Sequence, residues 1–140
     1  MSATTKTKAK PSKATKSLID SGIWDWILDH YGGRSSCSIL SVSNNNNDSK
    51  YLMDLGHLNV NWTDAENIYA IPARNQFQVS IITYLNEIMS NEMERNNFLY
   101  EIGERTNRRG QIFISINKSS KIKLDMNEIL RDKTFTMYLI

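Results

Sequence analysis

The side chains best suited to chemistry are few, and their spacing does not serve it. The 140-residue chain has two histidines, His30 and His57, and one cysteine, Cys37. Asp25 and Asp29 fall close before His30, and Asp54 lies three residues before His57. A metal centre needs three or four such ligands at recognisable spacing, and neither group supplies them. Arg34 is the one cation near Cys37 in sequence, too little to hold a reactive thiolate. Gly32-Gly33-Arg34 lacks the spacing of a phosphate-cradling glycine loop and reads as a helix stop. The residues therefore predict no catalytic, metal or cofactor site. They point to a protein that works by binding another macromolecule.

Two sets of residues could do that binding. Trp24 and Trp26 lie on a predicted helix from Leu18 to Tyr31 and project about 200° apart, so one of them leaves the apolar stripe. That helix is either sunk in the core or carries an aromatic anchor for a protein partner. The second set is basic. Lys6, Lys8, Lys10, Lys13 and Lys16 fall in the first 17 residues with no acid among them, while the other 123 residues carry a net charge of −3. Together with Arg105, Arg108 and Arg109 they form the alternative reading, a nuclear nucleic-acid contact. Arg109-Gly110-Gln111-Ile112-Phe113-Ile114 has the basic-glycine opening of an RNA-stacking strand but lacks its first aromatic. A membrane surface is excluded by Asp20, Asp25 and Asp29 on the polar face of the first helix, which anionic lipid repels.

The elements that must position these residues follow from periodicity. Residues 1–16 have no apolar anchor after Met1 and read as a disordered lysine-rich tail, leaving 17–140 as one domain. Ser36–Val42 and Tyr51–Leu55 read as a hairpin around an asparagine-rich turn, and Leu58–Trp62 as a short strand. Ile68–Ile71 is a β-type run closed by Pro72. Residues 77–89 fit a strand and a helix equally. A helix from Ser90 ends at Gly110, and Gln111–Asn117 alternates cleanly, with Ile112, Ile114 and Ile116 on one face. Lys121–Leu124 pairs back as a hairpin, Asp125-Met126-Asn127-Glu128 opens a short helix through Arg131, and Thr134–Ile140 is a last strand. The expected fold is α+β: an antiparallel sheet with two to three packed helices. The lone cysteine and the lack of an apolar run near 18 residues or of a secretory opening place the chain in the cytoplasm or nucleus.

Ile68-Tyr69-Ala70-Ile71-Pro72, and Ile102 to Arg108 running into Gln111–Ser115, resemble the small fungal and animal proteasome-assembly chaperones of the fourth type. The resemblance covers about 40 residues of scaffold, carries no contact residue, and favours a strand over residues 77–85. It implies a non-enzymatic assembly chaperone, paired with a sibling chaperone and binding an α-type subunit of the 20S proteasome.

Overall fold

Three of the chain's apolar runs are buried on both faces, which is the mark of strands sandwiched between helices. The computed structural model describes residues 10–118 and 122–140. In it β1 (Ile39–Val42) is buried at every position, as are Val79–Ile82 of β3 (Phe77–Ile82) and Phe113–Ile116 of β4 (Thr106–Asn117). With β2 (Val60–Thr63), β5 (Asn127–Arg131) and β6 (Phe135–Leu139) they form one sheet of order β2-β1-β3-β4-β6-β5. The first four strands are parallel; β6 runs antiparallel to β4, and β5 runs antiparallel to β6 at the edge. The fold is therefore α/β with a mixed, mostly parallel sheet, and the expected antiparallel sheet is wrong.

The error has a local cause. Asn47–Asp54 is a helix, α3, so the stretch read as a turn and a returning strand is the crossover of a βαβ unit. Such a crossover returns the chain parallel to where it started. The first predicted helix breaks at Gly22, whose φ of 84° suits glycine, into α1 (Lys13–Asp20) and α2 (Ile23–Asp29). Ser12 caps α1 and Ala14 is buried, so the stretch expected to be disordered through residue 16 is helical from Lys13. Ile68–Ala70 is a single 3₁₀ turn instead of a strand. Residues 77–89 divide into β3 and a one-turn helix α4 (Leu85–Ile88), so each periodicity holds for its own half. Asn127–Arg131 is strand and not helix. Lys121, in the last predicted hairpin, lies outside the described residues, as do Lys6 and Lys8.

One cluster packs α1, α2 and α3 on the sheet through Leu18, Trp24, Leu28 and Leu52 against Ile39, Val79, Ile81 and Phe113. On the other face α5 (Glu92–Arg105) sets Phe98 and Ile102 against Leu40, Ile82, Ile114 and Ile116. The alternation read for Gln111–Asn117 divides Phe113 from its isoleucine neighbours in this way. Helix α5 passes straight into β4 at Thr106, and Gly110 lies within the strand. Thr106 pairs with Phe77 and Gln111 with Val79, so residues 107–110 bulge out. A Cβ on Gly110 would sit 2.3 Å from the Gln78 carbonyl oxygen, which is why glycine stands there.

Trp24 is fully buried, 5.4 Å from the Phe113 ring, and its Nε1–H donates to His57 Nε2 at 2.9 Å. His57 Nδ1 lies 2.7 Å from the Leu52 carbonyl, so Nδ1 carries the proton and the ring is neutral. Burial pushes this imidazole below its ordinary value of 6.5, and the charge of Arg34 pushes the same way, outweighing the Leu52 bond. An unfolded chain therefore takes up the proton at higher pH than the folded one. The stabilisation is complete above about pH 6.5 and is lost as pH falls from there through the folded value. Urea midpoints should be lower at about pH 5.5 than at about pH 7.5, and His57→Gln should flatten the difference. An unchanged slope in that variant would assign the pH dependence to other groups.

Candidate functional site

The register of the parallel strands lines up a short row of polar residues. Thr63, Val42, Ile82 and Ile114 share one rung across β2, β1, β3 and β4. The next residue of each strand, Asp64, Ser43, Thr83 and Ser115, brings a side-chain oxygen to the carboxyl edge of the sheet. From β1 the chain goes to β2 on one side, then crosses to β3 on the other. Such a switch point leaves a crevice outside the strand ends, the usual place for a ligand in an open α/β sheet. Here a cavity of about 330 Å³ occupies it, lined by Ser43–Asn45, Asn47 and Asp48 on the β1 side and Thr83, Tyr84 and Glu87 on the β3 side. Lys10, Pro11 and Ser12 form its remaining wall.

Asp48, in the first turn of α3, holds that wall in place. It is 3% exposed. Its Oδ1 accepts the Ser12 backbone N–H at 2.7 Å, and its Oδ2 accepts the hydroxyls of Ser12 (2.8 Å), Thr15 (2.7 Å) and Thr83 (2.7 Å). One carboxylate thus ties the N-terminal segment to both α3 and the end of β3. Tyr84 completes the corner. Its backbone N–H donates to Ser115 Oγ at 2.9 Å, and its hydroxyl accepts the Ala14 N–H at 3.3 Å. Burial raises its pKa. Tyr84 also has a φ of 55°, a conformation that costs a bulky residue about 1–3 kcal/mol and that gathers at binding sites.

The residues present discriminate between ligands. A pyrophosphate needs backbone N–H groups bared by glycine, and no glycine stands between Gly33 and Gly56. The loop after β1 also spends its polar groups on itself. Ser43 Oγ donates to the Asn45 carbonyl at 2.5 Å and accepts Trp62 Nε1–H at 3.1 Å, and Asn45 Oδ1 accepts the Asn47 N–H at 3.0 Å. The loop is therefore no pyrophosphate cradle. In such folds a ribose diol is met by a carboxylate at the end of the second strand, about 20 residues past the first βα turn. Asp64 stands there, directly after β2 and 21 residues past Ser43. Its Oδ1 accepts the backbone and side-chain N–H groups of Asn67 at 2.9 and 2.8 Å. Its other oxygen has no partner among the described residues. Asp64 lies one strand outward from the cavity and does not line it.

Of the residues singled out from sequence that the structure describes, Lys10 alone lines this crevice. Trp24 is core, and Trp26 is 67% exposed on the other side of α2. Arg105 is buried, donating to Glu101 Oε1 at 2.9 Å and to the Ile71 carbonyl at 2.8 Å, which breaks up the expected cluster with the exposed Arg108 and Arg109. Lys13 pairs with Asp132 at 3.3 Å and Lys16 with Asp20 at 2.7 Å. Cys37 is buried, and burial pushes its thiol up to about 11, which disfavours the thiolate. Asp48, Asp64 and Tyr84 were missed. The one signal in the sequence was the spacing of Asp64 from the end of β1.

No protein-family model and no curated protein matches the chain by sequence. Solved structures do match its fold. A hypothetical protein of Thermus thermophilus superposes with a TM-score of 0.57 at 12% identity, over 100% of this chain and 91% of that one. The glycopeptide N-methyltransferase MtfA complexed with S-adenosyl-L-methionine superposes with a TM-score of 0.51 at 11% identity, over 100% of this chain and 71% of that one. The likeness overturns the resemblance to proteasome-assembly chaperones, and with it the expected non-enzymatic chaperone or adaptor. The nucleic-acid alternative finds no support either. Among the described residues no helix is long and apolar enough to cross a membrane. The chain shares a Rossmann-like α/β fold with both structures.

Proposed function

We propose that this chain is a methyltransferase-type enzyme domain that binds a phosphate-free nucleoside cofactor of the S-adenosylmethionine class at the carboxyl edge of its sheet. One observation carries the reading: Asp64, Ser43 and Thr83 stand at one level across the switch point, beside a cavity and a loop that has no glycine. Such a cofactor, when bound, supplies a methyl group made electrophilic by its sulfonium.

The chain's own residues then divide the task. The free carboxylate oxygen of Asp64 accepts from the ribose hydroxyls. Asn44 Nδ2 is committed to the Glu87 carbonyl and Asn45 Oδ1 to the Asn47 N–H, which leaves Asn44 Oδ1, Asn45 Nδ2 and the Asn47 side chain to meet an amino-acid end. The wall pinned by Asp48 closes one side of the cavity.

The test is calorimetric titration with S-adenosylhomocysteine, the demethylated form, which binds without turnover. Saturable binding is expected, and Asp64→Asn should weaken it about tenfold or more by removing the charge that draws the diol. The melting temperature of the ligand-free variant should stay within a few degrees of the parent, since Asn67 retains an acceptor. Equal affinity in parent and variant would show that the ligand lies away from β2.

A further inference from the structure

A second cavity, of about 470 Å³, opens at the opposite edge of the sheet, between α2 and the bulge that starts β4. That volume lies within the range of about 300–1,000 Å³ usual for small-molecule sites. Its lining combines an apolar base, aromatic walls and one cation. Ile27 is buried and Leu139 half-buried. Trp26 stands edge-on to the His30 ring, with centroids 5.1 Å apart at 76°. Its backbone carbonyl lies 3.0 Å from His30 Nδ1, which fixes the imidazole and leaves Nε2 as the uncommitted nitrogen.

Tyr31 donates its hydroxyl to the Arg109 carbonyl at 2.5 Å and so holds the bulge against α2. The Arg109 guanidinium has no acidic partner among the described residues, and no acidic side chain lines the cavity. Both facts matter, because a tryptophan left two-thirds exposed beside an unpaired arginine in a concavity is a poor use of surface unless something covers it.

We propose that this cavity is a second binding site, for a small molecule that joins a flat apolar ring to a carboxylate. The ring is selected by Trp26, Tyr31 and His30, since aromatic groups prefer offset or edge-to-face contact at about 4.5–7 Å. The carboxylate is selected by Arg109, whose planar fork matches it with two parallel hydrogen bonds. A phosphate is disfavoured because its charge of about −2, against −1 for a carboxylate, would meet one arginine and the carbonyl end of α2. The site lies at the amino ends of the parallel strands and is independent of the crevice at their carboxyl ends.

The experiment uses the full chain and two probes of one shape, 3-phenylpropionate and its neutral amide. The indole N–H signals of Trp24, Trp26 and Trp62 and the backbone amides report where each probe binds. For a probe of this size a Kd of about 1 mM or tighter is expected. The Trp26 indole and the amides of Tyr31, Arg109 and Gln111 should shift together and saturate. The neutral amide should bind about tenfold more weakly, and so should the carboxylate to Arg109→Gln, whose side chain is exposed and plays no part in the fold. Equal binding of the two probes, unchanged affinity in that variant, or shifts confined to residues 43–48 and 83–84 would overturn the proposal. An absence of saturation to about 10 mM would do the same.

Discussion

An Ile114→Asp substitution is expected to leave the chain unfolded, or nearly so, at 25 °C. Ile114 is fully buried in the middle of β4, paired with Ile82 on one side and Tyr138 on the other. Its side chain belongs to the cluster that seats α5 through Phe98 and Ile102, whose buried members are all hydrocarbon apart from the Tyr138 hydroxyl. The loss has two parts. The isoleucine side chain contributes about 1.5–3 kcal/mol by burial, and an unpaired polar group in its place costs a further several kcal/mol. Their sum reaches the whole stability of an ordinary domain, about 5–15 kcal/mol. Circular dichroism should show loss of the cooperative melt. A variant melting within a few degrees of the parent would mean that β4 does not cross the middle of the sheet.

Asp48→Ala is the second large effect, for the opposite reason: a buried acceptor is removed and its donors remain. The Ser12 N–H and the hydroxyls of Ser12, Thr15 and Thr83 all lose their partner at once. Charge-assisted bonds of this kind are worth about 1.5–3 kcal/mol each when deleted singly, and a set converging on one carboxylate is not additive. A net loss of about 3 kcal/mol is expected, or about 10 °C in melting temperature. The damage should be local as well as global. Hydrogen exchange should speed up in α1 and at Tyr84 before it does in β3 or β4. Uniform acceleration over the sheet would show that Asp48 supports the core in general and is no latch for the N-terminal segment.

Some of this was legible in the sequence. Gln111–Asn117 alternates over seven residues, long enough for the period of two to show, and its faces divide as read. The 200° between Trp24 and Trp26 foretold that one would leave the core, and Trp26 does. Helix α3 was lost because it is eight residues long with one fully buried apolar side chain, Leu52, too little for a period of 3.6 to register. Once part of α3 was read as a strand, it became the hairpin partner of β1 and the sheet became antiparallel.

The crevice was illegible for a different reason. It is made by strand order, which no short window encodes, and its loop lacks the glycines that mark such turns. Asp48 and Asp64 look like any surface acids until the register sets one under the N-terminal segment and the other level with Ser43. His57 illustrates the same limit at a buried site. Its partner Trp24 is 33 residues away, and nothing local signals the pair.

The central claim is that a nucleoside cofactor sits at the carboxyl edge between β1 and β3, with its ribose toward β2. It is tested most directly by titrating the ¹⁵N-labelled chain with S-adenosylhomocysteine and mapping the amide signals that move. The account predicts saturable shifts at Ser43–Asp48, at Asp64 and at Thr83–Tyr84, with Trp26 and Gln111 at the opposite edge unmoved. Saturable shifts centred on Trp26 and Gln111, or none at all, would contradict it.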